Sequence, residues 1–181
     1  RARAIVVGAG NSAGQAAMYL ADHASEVTLV VRGDDLGKSM SAYLCTRIAK
    51  HPRIEVLLHH EVQEMGGNDC LECVTLVDRR TNTTRRLDCA GLFIFIGAQA
   101  HTDWLPDTVR RDSKGYVLTG VAAGKDPLWP LDRAPCDLET TVPGIMAAGD
   151  IRSGTTKRCG FAVGDGSLAI TCVHRYLGGL A

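Results

Sequence analysis

Aromatic residues are scarce in this chain: three Phe, four Tyr and two Trp make up 5% of its 181 residues. That scarcity argues against a surface that stacks nucleic-acid bases. An excess of one charge is missing too. Twenty basic side chains balance twenty acidic ones, which gives no support to nucleic acid or a membrane surface as partner. No apolar run approaches the ~20 residues that a spanning helix needs, so no membrane span is expected. No signal peptide precedes the first predicted strand and there is no initiator Met. Arg1 to Val7 run straight into that strand, and the expectation is a chain cut from something longer. What is present is apolar content of 45%, enough to bury the core of one domain, or of one domain plus part of another.

Seven cysteines stand at positions 45, 70, 73, 89, 136, 159 and 172. Their number is odd, their spacing follows no disulfide framework, and most lie in apolar stretches. Reduced thiols in a cytoplasmic setting are expected. "CLEC" at Cys70–Cys73 opens a predicted strand, whereas redox pairs prefer a helix N-terminus that lowers the thiol pKa. Ordinary strand cysteines are the expectation there. A zinc site would need two more ligands at suitable spacing, and His59–His60, taken as alternating across a strand, cannot both chelate from one face. No metal site is expected.

The chain begins with a pattern that carries chemistry. Ala4–Val7 is a short apolar run that stops at Gly8, the signal of a buried strand. From Ser12 to about Ala21 the residues are good helix formers, and Ala13, Ala16, Ala17 and Leu20 share a face small enough to lie close on a sheet. Val27–Val31 is β-branched and apolar. Strand, glycine-rich turn, helix and strand make one βαβ unit. Within it Gly8-x-Gly10-x-x-Ala13 fits a dinucleotide fingerprint. Gly8 permits the tight turn, Gly10 lets backbone N–H groups approach a pyrophosphate, Ala13 lets the helix pack on the strand, and Asn11 and Ser12 open the helix whose N-terminus favours anions. The second strand ends in Arg32, where an acidic residue would select NAD; a cation suits the 2′-phosphate of NADP. Lys38 is placed to join it, although Asp34 or Asp35 bending back to a ribose remains an alternative.

Further on, a helix is predicted over Ser39–Lys50, ended by Pro52, and a third strand over Ile54–Leu58. Leu71–Arg79 and Thr84–Cys89 read as a hairpin around "TNTT". "GLFIFI", Gly91–Ile96, is continuously apolar, which predicts a central strand. Composition shifts after Gly97. Residues 120–137, rich in Gly, Pro and Asp, read as a loop. Ile145–Ala148 reads as a short strand and Arg158–Leu177 as a long helix capped by Gly178–Gly179.

Four segments, "GAGNSAGQAA", "GLFIFIGA", "PGIMAAGDI" and "KRCGFAVGDGS", occur in an order that resembles the C-terminal part of thioredoxin reductase-like flavoproteins, over essentially the whole chain. The resemblance implies an α/β fold: a Rossmann-like NAD(P)-binding domain, residues 1–97, with a parallel sheet plus a β-hairpin layer. Residues 98–181 would follow as the C-terminal half of a discontinuous FAD-binding domain whose N-terminal half is absent from this chain. It implies NADP(H) and, in the full-length parent, FAD as cofactors. Gly149 and Asp150 match the Gly-Asp that contacts FAD, and Arg158, Cys159 and Gly160 fall where an Arg-Gln-Ala contact with the isoalloxazine is found, only the Arg being retained. Gly97 is counted with the cofactor contacts. The implied activity passes reducing equivalents from NADPH through FAD to a protein disulfide. The redox Cys-x-x-Cys would lie before Arg1, so this chain holds no catalytic residue and is expected to be inactive alone. A thioredoxin-like protein or other electron acceptor and a homodimer of the parent are the implied partners. Two alternatives stay open: a relative without the disulfide that reduces ferredoxin or a quinone, and a non-catalytic NADP(H)-binding module.

Overall fold

Ala4–Val7 (β1) and Val27–Val31 (β2) sit at the centre of the N-terminal half, and their alternation decides its layers. β2 is buried throughout. Val6, Leu29 and Val31 point to one face, where they meet helix α1 (Asn11–His23) and helix α2 (Ala42–Ala49). Ile5 and Val30 point to the other, where they meet Val74, Leu76 and Leu87. With period-two side-chain alternation, a strand covered on both faces must be apolar at every position, as β2 is. On α1 the residues turned to the sheet include Ala13, Ala17 and Ala21, all fully buried, and their small size brings the helix close.

The structure is a computed structural model in which residues 2–179 are described. It divides into two compact units, residues 1–97 and 98–181. In the first, Ile54–Leu58 (β3) and Gly91–Ile94 (β7) complete a four-stranded parallel sheet of order β3-β2-β1-β7. His60–Gly66 (β4), Cys73–Asp78 (β5) and Thr84–Asp88 (β6) form an antiparallel sheet of order β4-β5-β6. The unit is therefore helices, parallel sheet and antiparallel sheet in three layers.

The predicted hairpin is the β5–β6 pair. β4, which sequence reading did not foresee, extends it. Two expectations need correction. "GLFIFI" does not form a central strand: among the described residues β7 pairs with β1 alone and lies at the sheet edge, with Phe93 40% and Ile94 59% exposed. His59 has φ 59° and sits in the turn between β3 and β4, so it and His60 do not alternate along one strand.

The second unit has little regular structure. It holds a short helix, Val121–Gly124 (α3), a 3₁₀ turn at Gly149–Ile151, and the long helix Cys159–Gly178 (α4). The expected strand Ile145–Ala148 is reduced to one bridge between Glu139 and Met146. Polar contacts and one covalent link take the place of a sheet. Glu139 is fully buried and its carboxylate accepts from Arg133 Nη1 and Nη2 at 2.8 Å each, from the Cys136 amide at 2.9 Å and from the Gly144 amide at 3.0 Å. Burial alone would push this carboxyl up; the Arg133 guanidinium and the two amides outweigh it and hold it down at about 2.

Cys136 and Cys172 form a disulfide, Cα–Cα 5.8 Å. The expectation that all seven cysteines are reduced thiols is thereby corrected: apolar surroundings suit a buried disulfide as well as a buried thiol. Closing a loop across 36 residues contributes about 4 kcal/mol on loop-closure entropy. Cys45, Cys70, Cys73, Cys89 and Cys159 are free.

Candidate functional site

The glycine-rich turn of the first unit is built by close approach of backbones. Gly8 donates its N–H to Val30 O at 3.0 Å, and Phe95 donates to Val7 O at 2.7 Å. A Cβ on Gly8 would lie 2.4 Å from Phe95 O, and its φ is +143°. Only glycine fits there. Gly10 is different. It caps α1 in an extended conformation with no side-chain cap bond, and a Cβ there would meet nothing within 4 Å. Its surroundings are open, as a turn that receives a ligand requires. The first N–H groups of α1, from Asn11, Ser12 and Ala13, have no partner within the helix and carry its positive end. Ser12 is exposed and Ala13 fully buried.

A second segment buttresses this turn. Asn11 Oδ1 accepts from the Ser41 amide at 2.7 Å, and Ser39 Oγ donates to Ala9 O at 3.1 Å. Asn11 thus holds the loop before α2 through its side chain while its N–H stays at the helix end. Gly14 adds a contact that the fingerprint did not single out: a Cβ there would strike Met40 Sδ at 2.8 Å. The signal was the glycine directly after Ala13, in a helix otherwise made of good helix formers.

Arg32 follows β2 with its side chain 76% exposed, and its Nε is 3.9 Å from Glu61 Oε1. That oxygen is engaged more closely by Arg79, at 2.8 Å. An exposed pair of this length holds Arg32 weakly, and its guanidinium is free to turn to a phosphate. Lys38 donates to Asp34 Oδ1 at 2.7 Å, which lowers the Asp34 pKa and raises that of Lys38. Asp35 accepts from the Gly37 amide. Both acids are tied within their own loop. Gly97, φ +94°, is exposed beyond β7 with open space about it.

The other predicted residues assemble within the second unit. Gly149, φ +77°, opens the 3₁₀ turn, and a Cβ there would come 3.3 Å from Ala162 Cβ on α4. Its amide donates to Asp165 Oδ2 at 2.9 Å; Arg152 Nη1 donates to both Asp165 oxygens at 2.8 and 2.7 Å. Arg152, and then the Gly149 amide, hold the Asp165 carboxyl below its usual range. Arg152 Nε also donates to Thr119 Oγ1 at 3.0 Å. Asp165 and Arg152 thus lock the turn bearing Asp150 onto the first half of α4. Sequence reading passed over both, although Asp165 lies within the quoted "KRCGFAVGDGS".

Asp150 is exposed, and Lys157 Nζ donates to its carbonyl oxygen at 2.8 Å while lying over the Tyr116 ring. Among the described residues its carboxylate meets no partner. Arg158 is the extended N-cap of α4, and Cys159 and Gly160 form its exposed first turn. A carboxylate and a helix N-terminus therefore stand on one local frame. They suit hydroxyl donors and an electron-rich group respectively. Among the described residues no three His, Cys, Asp or Glu side chains group to hold a metal ion, and no helix is long and apolar enough to cross a membrane.

Residues 1–166 match the pyridine nucleotide-disulphide oxidoreductase family. The chain belongs to that family. Among its relatives, thioredoxin reductase of Rickettsia felis is 32% identical over 176 residues, 96% of this chain and 52% of the relative. A 34.2 kDa protein in the rubredoxin operon of Clostridium pasteurianum is 28% identical over 175 residues, 97% of this chain and 51% of its own. The solved thioredoxin reductase of Streptococcus pyogenes superimposes with a TM-score of 0.68 at 30% identity, covering 98% of this chain and 53% of that one. That of Lactococcus lactis, TM-score 0.73 at 24% identity over 99% of this chain and 54% of its own, shows the shared fold. The chain spans about half the length of the curated relatives it matches. The mixed α/β architecture, a parallel sheet and an antiparallel one, agrees with the family fold.

Proposed function

We propose that residues 1–97 are an NADP(H)-binding domain and residues 98–181 the C-terminal half of an FAD-binding domain. The whole protein would be an oxidoreductase that passes reducing equivalents from NADPH through FAD to a protein disulfide, with a thioredoxin-like protein as electron acceptor, as a homodimer in the cytoplasm. The other half of the FAD site and the redox disulfide then belong to segments outside these residues. The observation that carries this reading is the Gly8–Gly10 turn: a strand end closed against Phe95 O, an open face at Gly10, and a helix N-terminus beneath it.

When bound, the two cofactors supply the hydride and electron chemistry. The chain's own residues bind and orient. Gly8, Gly10, Asn11, Ser12 and Ala13 present the α1 amides to a pyrophosphate, and Arg32, with Lys38 near the start of α2, selects the 2′-phosphate. Gly97 lies at the end of the same unit. Gly149 and Asp150 offer a backbone turn and an acceptor to flavin hydroxyls, and Arg158, Cys159 and Gly160 place the positive end of α4 toward the flavin ring. The relatives named thioredoxin reductase favour a disulfide over ferredoxin or a quinone as acceptor, and an enzyme over a non-catalytic nucleotide-binding module.

Titration of the 181-residue chain with NADPH and with FAD, each followed by gel filtration, tests the assignment. NADPH is expected to bind saturably, and FAD is expected not to be retained, because a pyrophosphate needs a cluster of backbone donors that Asp150, an acceptor, does not supply. Absence of NADPH binding by a folded chain would refute the assignment of the first unit. Flavin retained at one equivalent per chain would show the second unit to hold a nearly complete site.

A further inference from the structure

The Cys136–Cys172 disulfide lies outside both cofactor regions, and its position gives it a use. We propose that it is a reversible redox tether: a dithiol opens it, and opening it loosens the second half of α4 against the loop that carries Glu139. The inference stands apart from the flavin reading, since it concerns only contacts inside the second unit.

The argument starts from how α4 is held. Among its described side chains Cys172 is the one that is buried, 1% exposed. Val163, Ile170, Val173 and Leu177 are all exposed. Gly160, Gly164 and Gly166 weaken the intrinsic helix propensity of its first half. The helix is tied at two places. Asp165 binds the first half to Arg152 and the Gly149 amide. The second half is tied covalently through Cys172, in a small cluster with Cys136 and Leu138 against which Met146 and Ala169 pack; beside it Tyr176 lies so close to Gly144 that a Cβ there would come 2.6 Å from its ring, with the Arg133 guanidinium over that ring. The loop end of this tie stays in place without the disulfide, because Glu139 grips Arg133 and the amides of Cys136 and Gly144. Breaking the sulfur bond therefore leaves the second half of the helix held by side-chain packing alone and loosens it, while the loop stays in place.

The chemistry at the sulfurs has a direction. Cys136, on the loop, is the more exposed residue of the pair, 7% against 1% for Cys172 on the helix, and the incoming thiolate is assigned to its Sγ. Its attack forms a mixed disulfide with Cys136 and breaks the Cys136–Cys172 bond; Cys172 leaves as a thiolate and takes up a proton. The second thiol of the dithiol, deprotonated, then attacks its own sulfur in the mixed disulfide. Cys136 is released as a thiolate and then protonated. The Arg175 Nη1, 3.9 Å from Cys136 Sγ, stabilises that leaving thiolate. Two electrons and two protons pass from the dithiol, which becomes a disulfide, to the cysteine pair. A dithiol's disulfide form closes the tether again by the reverse exchange.

The test uses the full chain purified without reductant. Alkylation in denaturant followed by peptide mass spectrometry is expected to show one linked pair, 136–172, and five alkylated cysteines. Hydrogen exchange is then compared before and after reduction by dithiothreitol. Amides of residues 168–178 are expected to exchange at least ten-fold faster in the reduced chain, and oxidised dithiothreitol should restore their protection. A double variant, Cys136→Ala with Cys172→Ala, should exchange at the faster rate in both buffers. A chain without the 136–172 link, or one whose α4 exchanges equally in both states, would overturn the proposal. Reduction of the wild-type chain reads the effect even where the double variant does not fold.

Discussion

Replacing Glu139 by Gln keeps the volume of the side chain and removes its charge. The carboxylate takes four donors, two from Arg133 and one each from the Cys136 and Gly144 amides. A Gln has one oxygen, so its NH2 group must face two of those donors. Glu139 is held at about 2 against an ordinary 4.5, and its side chain is 1% exposed, so solvent screens it little. At 1.36 kcal/mol per pKa unit this depression is worth about 3 kcal/mol. Part of that returns as Arg133, 44% exposed, turns to water, so a loss of about 2–3 kcal/mol is expected at pH 7. Because the folded pKa is depressed, the stabilisation is fully present above about pH 4.5 and is lost as pH falls toward about 2. The gap between wild type and Glu139→Gln should therefore shrink by more than half by about pH 3. Urea unfolding followed by tryptophan fluorescence reads the right unit: Trp104 and Trp129 both lie in residues 98–181. Trp129 Nε1 donates to Arg133 O, and the Arg133 guanidinium lies over its ring. A variant within about 0.5 kcal/mol of wild type at pH 7, the range of an inert surface change, would refute the reasoning. So would a loss that is equal at pH 3 and pH 7.

Gly8→Ala should cost about 3 kcal/mol or more, from a positive φ and a Cβ 2.4 Å from Phe95 O; loss of hydrogen-exchange protection in β2, together with loss of NADPH binding, is the readout, and unchanged protection would contradict the close approach. Arg32→Ala should weaken NADPH binding by about 1.5–3 kcal/mol and leave NADH unchanged. Calorimetric titration of both nucleotides checks it, and equal wild-type affinities for the two would end the NADP assignment. Cys70 is exposed and Cys73 buried at the first position of β5. Neither is expected to link to the other after equilibration in a glutathione redox buffer, read by peptide mass spectrometry, and a 70–73 link would show that CLEC is a redox pair.

Much of the first unit was legible because its signals are local. The βαβ start, the glycine spacing and the "TNTT" hairpin are each written within a few tens of residues, and periodicity of 2 or 3.6 reports which face avoids water. That same information cannot say which strand lies beside which. "GLFIFI", apolar throughout, suits a central strand, yet strand pairing alone puts β7 at the edge beside β1. His59 reads in sequence as a strand residue, because its left-handed φ is a property of the turn that β3 and β4 force on it.

In the second unit local pattern ran out sooner. The amino-acid sequence by itself marked the long helix after Arg158, despite its glycines and with Gly178–Gly179 to cap it, and the resemblance of "PGIMAAGDI" to the flavoproteins singled out Gly149 and Asp150. Tertiary structure alone decided the rest. Asp165 joins Arg152 and Gly149 across 13 and 16 positions, and Cys172 meets Cys136 across 36. Glu139 became the most buried acid of the loop only once Arg133 and two amides closed round it. A carboxylate, a guanidinium or a thiol reads alike in sequence whether it faces water or a partner. What distinguishes the two is the free energy of desolvation against that of pairing, and that balance exists only where the chain has brought the partners together.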